Sequence, residues 1–232
     1  MKQPGLLNSL NLRGRSRLPL TTPAEPDKPK IVVGMSGASG MPYALRLLEV
    51  LQGHSIESHL IITKPAMQTL AVETDGGLAA ARSLADHVYS NNDIGAATAS
   101  GSFRSDGMLI VPCSVKTLAE VANGIGSGLL TRTADVTLKE RRPLVLGVRE
   151  TPLTQAHLRN MMAVTEMGAI VAPPMPAFYT KSRTIDDLVN HQVQRWLDLF
   201  GLHFDLAPRW GAQADTAEPN PSRPAMQVVH TD

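Results

Sequence analysis

The sequence predicts an α/β fold in which helices cover both faces of a mainly parallel sheet. Short apolar runs rich in β-branched residues alternate along the chain with segments that have helical spacing. The runs are continuously apolar, as in parallel strands that are buried on both faces. The loops after them hold Gly, Ser and Pro, which are typical of turns and helix starts. The alternation indicates a Rossmann-like, three-layer α/β/α sandwich with about six strands.

The first run, KIVVGM, is a short buried strand, and the GASG turn and a helix with apolar residues at helical spacing follow it. Four further apolar runs have the same character. The predicted strands are 30–35, 58–63, 107–112, 143–148 and 168–172. The predicted helices are 41–51, 64–72, one that starts at Ser114, 128–141, 154–167 and 184–200.

The last helix carries the clearest signals. Thr184 and Asp187 have the spacing of a capping box, with Asp in the place of the usual Glu. The stripe Val189, Val193, Trp196, Phe200 then predicts the face that packs on the core.

Composition excludes several classes of protein. The chain has 232 residues, a net charge of +1, 19% charged residues, 4% aromatic residues and one Cys. A single Cys forms no internal disulfide and indicates a reducing compartment, so we expect a cytoplasmic location. No apolar run has the length of a membrane-spanning helix, and the near-zero charge argues against nucleic acid as the main partner.

The two ends differ from the middle. Residues 1–29 contain five Pro and three Arg, with Glu25 as the first acidic residue. We interpret 1–29 as a disordered extension, although the lack of acid also weakly resembles an organelle transit peptide. Residues 212–232 are polar and lack periodicity, which predicts a flexible tail around a domain at 30–211.

Two loops after strands hold small and hydroxyl residues. Residues 34–40 read GMSGASG, which lets a ligand approach the backbone at a helix start, or forms a tight turn capped by Ser39. Residues 112–117 read PCSVKT, where Ser114 and Thr117 either face one ligand or Ser114 simply caps the helix. Cys113 is interpreted as packing rather than as a nucleophile, since no His lies near it in sequence.

A third group of residues is positively charged. Arg132 and Lys139 are two turns apart on one helix face, which indicates either a second anion site at the loops or surface ion pairs with Asp135 and Glu140. Residues 149–151 (RET) follow a strand, where a site residue is expected. The Pro-rich loop 173–179 either carries an aromatic pair to the site or covers the sheet edge.

Metal and triad signatures are missing from the sequence. The seven His are scattered without the spacing of a metal site, so we expect no metal. No G-x-S-x-G motif is present.

Together, GMSGASG, ETD at 73–75, PCSVKT, the block at 129–152, PPMPAFY at 173–179 and RWG at 209–211 resemble the UbiX-type flavin prenyltransferases. The resemblance runs from about residue 30 to 211. It implies that FMN and dimethylallyl monophosphate bind without metal and that the prenyl group joins N5 and C6 of reduced FMN. It also implies a dodecamer, and a UbiD-type decarboxylase that receives the prenylated FMN, notably in ubiquinone biosynthesis.

The resemblance also implies roles for individual residues. Expected flavin contacts are Gly37, Ala38, Ser39, Thr63, Ser114, Val115, Lys116, Thr117 and Arg132. The expected prenyl-phosphate pocket comprises Lys139, Glu150, Tyr179 and Arg195. Expected catalytic residues are Ser39, Glu73, Glu150 and Trp210, with Glu73 supplied across a subunit interface and Trp210 forming an aromatic wall.

Two alternatives stay open. One is an FMN-dependent decarboxylase of the phosphopantothenoylcysteine type, in which a P-x-M-N motif is expected where this chain has Pro176 in place of Asn. The other is a flavin carrier or assembly subunit of a decarboxylase, which would not need a second phosphate pocket.

Overall fold

In a computed structural model that describes residues 28–211, a single six-stranded sheet forms the centre of the fold. Its strands are β1 (Lys30–Met35), β2 (Glu57–Ile62), β3 (His87–Ser90), β4 (Gly107–Cys113), β5 (Leu144–Val148) and β6 (Ile170–Val171). Every pairing is parallel, in the order β3-β2-β1-β4-β5-β6. The predicted three-layer α/β fold is confirmed.

Helices connect the strands. They are α1 (Met41–Gly53), α2 (Lys64–Glu73), α3 (Gly77–Leu84), α4 (Val115–Ala122), α5 (Leu129–Lys139), α6 (Gln155–Glu166) and α7 (Ile185–Asp198). Short 3-10 turns lie at Ala97–Ala99 and Phe178–Thr180. The predicted extension at 1–29, apart from its last two residues, and the tail at 212–232 lie outside the described residues.

Two hydrophobic clusters sandwich the sheet. Ile31, Val33 and Met35 of β1 belong to the cluster that includes α1 and α7, whereas Val32 belongs to the cluster with α4 and α5. This alternation follows from the two-residue period of a strand. Trp196 of α7 is fully buried and its indole Nε1 donates to the carbonyl of Ala172 at 2.9 Å, which confirms the core stripe.

The strand order changes direction at β1. The chain first builds outward through β2 to β3, then returns to β4 on the other side of β1 and continues to β6. The loops after β1 and β4 therefore diverge and leave a crevice at the carboxyl end of the sheet. This crevice positions the candidate site.

The sequence prediction missed α3 and β3. The strand β3 reads HVYS and is mostly exposed at the sheet edge, so it lacks the apolar run that marks the other strands. The helix α3 has only eight residues and starts at glycines with positive φ, where turn and helix signals overlap.

Candidate functional site

A cleft of about 440 Å³ opens at the carboxyl ends of β1 to β5. We call it the strand-end cleft. The loop residues that line it include Ser36, Gly37, Ala38, Ser39, Thr63, Asn91, Asn92, Ser114, Val115, Lys116, Thr117, Arg149 and Glu150. Nine of the predicted site residues therefore lie together, as expected from strand ends meeting at one edge of a parallel sheet.

The loops after β1 and β4 are joined through one buried hydroxyl. Ser36 donates from Oγ to the carbonyl of Pro112 at 3.0 Å and accepts from the backbone N–H of Ser114 at 2.7 Å. Ser36 lies inside GMSGASG, but sequence reasoning did not select it. The bond partners are more than 70 residues away, so no local signal marked it.

The β1 loop is also packed tightly against α2. A Cβ added at Gly37 would lie 2.4 Å from the Cβ of Pro65, far inside contact distance. Only glycine fits there without displacing the start of α2.

The start of α1 is held by a carboxylate rather than by its own cap. The N-cap residue is Gly40, which has φ 120° and no side chain, so capping by Ser39 does not occur. Instead, Glu73 at the end of α2 accepts from the backbone N–H groups of Gly40 at 2.8 Å and Met41 at 2.9 Å. This acidic side chain therefore contacts the predicted flavin loop of its own chain, and not that of a neighbouring subunit as the resemblance implied.

The protonation of Glu73 follows from these contacts. Burial alone raises the pKa of its carboxyl, but hydrogen bonds from the Ser39 side chain and from the Met41 and Gly40 backbone, with the positive Arg149 nearby, bring the pKa below its usual value. The group is thus an anion at neutral pH.

Two hydroxyl residues begin helices at the cleft. Thr63 caps α2 by accepting from the N–H of Ala66 at 3.3 Å, and Ser114 caps α4 by accepting from the N–H of Thr117 at 3.3 Å. Ser114 also donates to Oγ1 of Thr117 at 3.2 Å. Capping and lining the cleft are therefore not exclusive, because the same residues do both.

The cleft presents both signs of charge. Lys64, Lys116 and Arg149 line it together with Glu120 and Glu150. Lys116 pairs with Glu120 at 3.2 Å, and the described contacts of Arg149 include no salt bridge. Helix starts and cations are the groups that hold phosphates in proteins, and the hydroxyl and amide groups suit a polar ring. The residues present thus fit a phosphate-bearing aromatic ligand such as FMN.

Cys113 lies behind the cleft and not in it. Its side chain is fully buried, and burial raises the pKa of the thiol to about 12. A thiol that does not ionise is not a nucleophile, so the interpretation of Cys113 as packing is confirmed.

Arg132 and Lys139 lie outside the strand-end cleft within one chain. Arg132 pairs with Asp135 at 2.8 Å and donates to the carbonyl of Ala99 at 3.3 Å. Lys139 pairs with Glu140 at the other end of α5, away from the strand-end loops. Within one chain both cations therefore make the surface ion pairs that were the alternative expectation, because α5 starts at the cleft and runs away from it.

Tyr179, Arg195 and Trp210 form a second group outside the cleft. The rings of Tyr179 and Trp210 meet edge to face at 5.1 Å, and the Tyr179 hydroxyl lies 3.0 Å from Nε2 of His191. Arg195 lies along α7 beside His191 and pairs with Asp198 at 3.3 Å. Trp210 is 80% exposed, which is unusual for a large ring.

Comparison with known proteins decides the family. The flavoprotein family model matches residues 20–197. The flavin prenyltransferase UbiX of Thauera aromatica is 52% identical over 181 residues, which are 78% of this chain and 93% of that protein. The chain belongs to the UbiX flavin prenyltransferase family.

Solved structures agree with this membership. A crystal structure of AnUbiX (PadA1) in complex with FMN and dimethylallyl pyrophosphate is 49% identical, with a TM-score of 0.78 over 79% of this chain and 98% of that one. A dodecameric FMN-dependent UbiX-like decarboxylase from Escherichia coli O157:H7 is 47% identical, with a TM-score of 0.77 over 78% of this chain and 98% of that one. Solved cysteine decarboxylases at 14% and 20% identity share the fold alone.

One further observation concerns membranes. Within residues 28–211, no helix combines the length and the apolar character that crossing a membrane requires.

Proposed function

We propose that this member of the UbiX family is a flavin prenyltransferase that joins the dimethylallyl group of dimethylallyl monophosphate to N5 and C6 of reduced FMN. The observation that carries the proposal is the convergence of Gly37 to Ser39, Thr63, Ser114 to Thr117 and Glu150 on one cleft. All of these positions except Thr63 belong to the motifs that carry the family resemblance.

The cleft residues have complementary tasks in holding FMN. The hydroxyls of Ser39, Thr63 and Thr117 and the α4 start suit the polar edge of the ring, and cations near the helix starts suit its phosphate. Bound FMN supplies the nucleophilic ring atoms, while the chain supplies position and electrostatics.

Charge balance at the donor phosphate is the second task. Breaking the allylic C–O bond leaves an anionic phosphate, which cations stabilise and which Glu150 would protonate at an oxygen. We assign Lys139, Arg195 and Tyr179 to this phosphate. The exposed face of Trp210 would stabilise positive charge on the allyl group.

These donor-pocket residues do not meet within one chain. Glu150 lines the strand-end cleft, Lys139 lies near the far end of α5 and Arg195 lies along α7. We therefore propose that the active form is a homo-oligomer, a dodecamer, in which neighbouring copies complete each site. The dodecameric relative and the exposed rings of Trp210 and Tyr179 support this.

Ser39 and Glu73 are assigned to proton transfer. Prenylation at C6 requires the loss of a ring proton, and the Glu73 carboxylate lies against the backbone of the loop that carries Ser39. An anion at neutral pH is competent to accept that proton through the hydroxyl.

The direct test is incubation of the full-length protein with reduced FMN and dimethylallyl monophosphate, without metal. Mass spectrometry should show flavin that has gained one five-carbon unit. A parallel reaction with dimethylallyl pyrophosphate, the compound in the AnUbiX structure, identifies the preferred donor. Bound FMN without any adduct from either donor would refute prenyl transfer and favour the carrier alternative.

Arg195→Ala separates the two pockets. We expect adduct formation to fall at least about tenfold while FMN binding survives, because a charge on the donor phosphate is lost. Arg159→Ala, which removes an exposed arginine of α6, is the matched control. Loss of FMN binding in Arg195→Ala would show that Arg195 belongs to the flavin pocket.

The product's destination is a further part of the proposal. Prenylated FMN is a cofactor that another enzyme must receive, and we assign a UbiD-type decarboxylase in the cytoplasm as the recipient. An apo decarboxylase of that type should gain activity when mixed with the reacted protein and should gain none with the unreacted protein.

A further inference from the structure

A group of metal-ligating side chains lies at the amino ends of β2 and β3, at the other end of the strands from the strand-end cleft. Glu57 is the first residue of β2, and His59 follows two positions later on the same face. The parallel register places His87, the first residue of β3, directly beside His59. We call these three residues the strand-start cluster. Thr63 of the cleft is six extended residues from Glu57, about 20 Å away.

The ligand atoms of the strand-start cluster converge on one point. Nε2 of His59 lies 3.0 Å from Oε1 of Glu57, and Nε2 of His87 lies 3.2 Å from the same oxygen. The two imidazole rings are stacked, with centroids 4.6 Å apart and planes 13° apart. One ligand atom from each residue lies within 4.8 Å of the others. Ligands at about 2.0–2.1 Å from a tetrahedral zinc ion are about 3.4 Å apart, close to the 3.0 and 3.2 Å that separate Oε1 of Glu57 from the two imidazole nitrogens.

Surrounding groups orient the ligands. The Tyr89 hydroxyl lies 3.0 Å from Nδ1 of His59. Histidines that bind a metal through one ring nitrogen usually have such a hydrogen-bond partner at the other. Phe103 packs edge-on against the same imidazole at 4.8 Å. Lys30 lies 3.7 Å from Oε2 of Glu57, which leaves Oε1 to face the histidines.

We propose that Glu57, His59 and His87 bind a zinc ion, with water in the fourth position. Two imidazoles and one carboxylate suit zinc better than magnesium or calcium, which prefer oxygen ligands. A cavity of about 260 Å³, lined by Glu57 and His87 among others, leaves room for the water.

The role of this site is structural. Zinc would link β2 to the edge strand β3, whose four residues are mostly exposed. Ser90 ends β3 and Asn91 follows it into the strand-end cleft, so the ion would anchor the strand that delivers these residues. The ion would take no part in the chemistry of prenyl transfer. The expectation of no metal from sequence rested on local spacing, whereas the strand pairing joins residues 28 positions apart.

The test uses the full-length protein without an affinity tag, treated with chelator and titrated with zinc sulfate against a colorimetric zinc indicator. We expect one zinc per chain and at least tenfold weaker binding in His87→Ala. His87 is half-exposed, so this variant is expected to fold. His203→Ala removes another exposed histidine and should bind zinc like the wild type.

Two further measurements use the same proteins. Zinc should raise the Tm of the wild type and of His203→Ala but not that of His87→Ala. Tyr89→Phe should weaken zinc binding about tenfold, because the outer partner of His59 is lost. Equal zinc affinity in the wild type and His87→Ala, or less than one zinc per chain at saturation, would overturn the proposal and leave the cluster as a hydrogen-bonded stack.

Discussion

Asp198, at the end of α7, anchors the segment that carries Trp210, and Asp198→Asn tests this anchor. Its side chain is only 10% exposed and both oxygens accept from Arg209, at 2.8 and 3.0 Å. These hydrogen bonds, with smaller contributions from His203 and Arg195, lower the pKa of the carboxyl to about 2 although burial opposes the change. Asparagine keeps the shape but loses the charge and one acceptor.

The magnitude follows from this pKa. A value of about 2 instead of 3.8 corresponds to about 2 kcal/mol, at about 1.4 kcal/mol for each pH unit. Arg209 is 37% exposed, so solvent screens part of the interaction. We expect Asp198→Asn to lower the free energy of unfolding by about 1–2 kcal/mol at pH 7, and adduct formation by about tenfold because Trp210 loses its position.

The assay is chemical denaturation at fixed protein concentration, with prenyl transfer measured separately. Because its pKa is lowered in the folded state, the Asp198 carboxylate contributes its full stabilisation above pH 3.8 and loses it as the pH falls through about 2. The difference in free energy of unfolding between the wild type and Asp198→Asn should therefore shrink in that interval. Asp205→Asn is the control, because Asp205 carries a charge near the Arg209 guanidinium but makes no described hydrogen bond to it. This variant should lower the free energy of unfolding by less. An equal cost in both variants, or a difference that persists at pH 2, would refute the reasoning.

Three other predictions concern the cleft and the buried thiol behind it. Glu73→Gln should lower the free energy of unfolding by about 0.5–2 kcal/mol at pH 7, because the start of α1 at Gly40 loses its anion. The Tm values of the variant and the wild type should converge at acid pH, where the wild-type carboxyl is protonated. A Tm difference that stays constant with pH would contradict this. Gly37→Ala should weaken FMN binding about tenfold, measured by flavin fluorescence, since its Cβ would displace Pro65; unchanged affinity would show that the loop adapts. Cys113 should resist iodoacetamide at pH 8 in the native protein and react after denaturation, because its thiol is buried with a raised pKa; native labelling would contradict this.

The sequence predicted what is periodic. Strand and helix positions follow from continuous apolar runs and 3.6-residue spacing, and Trp196 was placed in the core from its stripe alone. The cleft was predictable for the same reason, because the ends of parallel strands meet. Ser114 could be placed there from its position after a strand, whereas Thr63 was selected through the family resemblance.

Long-range polar contacts could not be predicted. Glu73 accepts from a loop 33 residues earlier, and Ser36 bonds residues 76 and 78 positions later. The sequence left open whether Lys139 faces the loops or pairs with Glu140, since helical spacing fixes a face but not which end of a helix meets the site. The edge strand β3 was missed because its pairing with β2 compensates for a polar, exposed sequence.

The helix caps at the cleft have a consequence for hydrogen-bond direction. The hydroxyl oxygens of Thr63 and Ser114 accept hydrogen bonds from backbone N–H groups, and the Ser114 hydroxyl donates to Thr117. The described contacts give the hydroxyls of Thr63 and Thr117 no protein acceptor, so both can donate to a ligand in the cleft that Lys64 also lines. This wall of the cleft therefore offers hydrogen-bond donors. It favours ligands that are rich in acceptor atoms, whatever a neighbouring subunit adds.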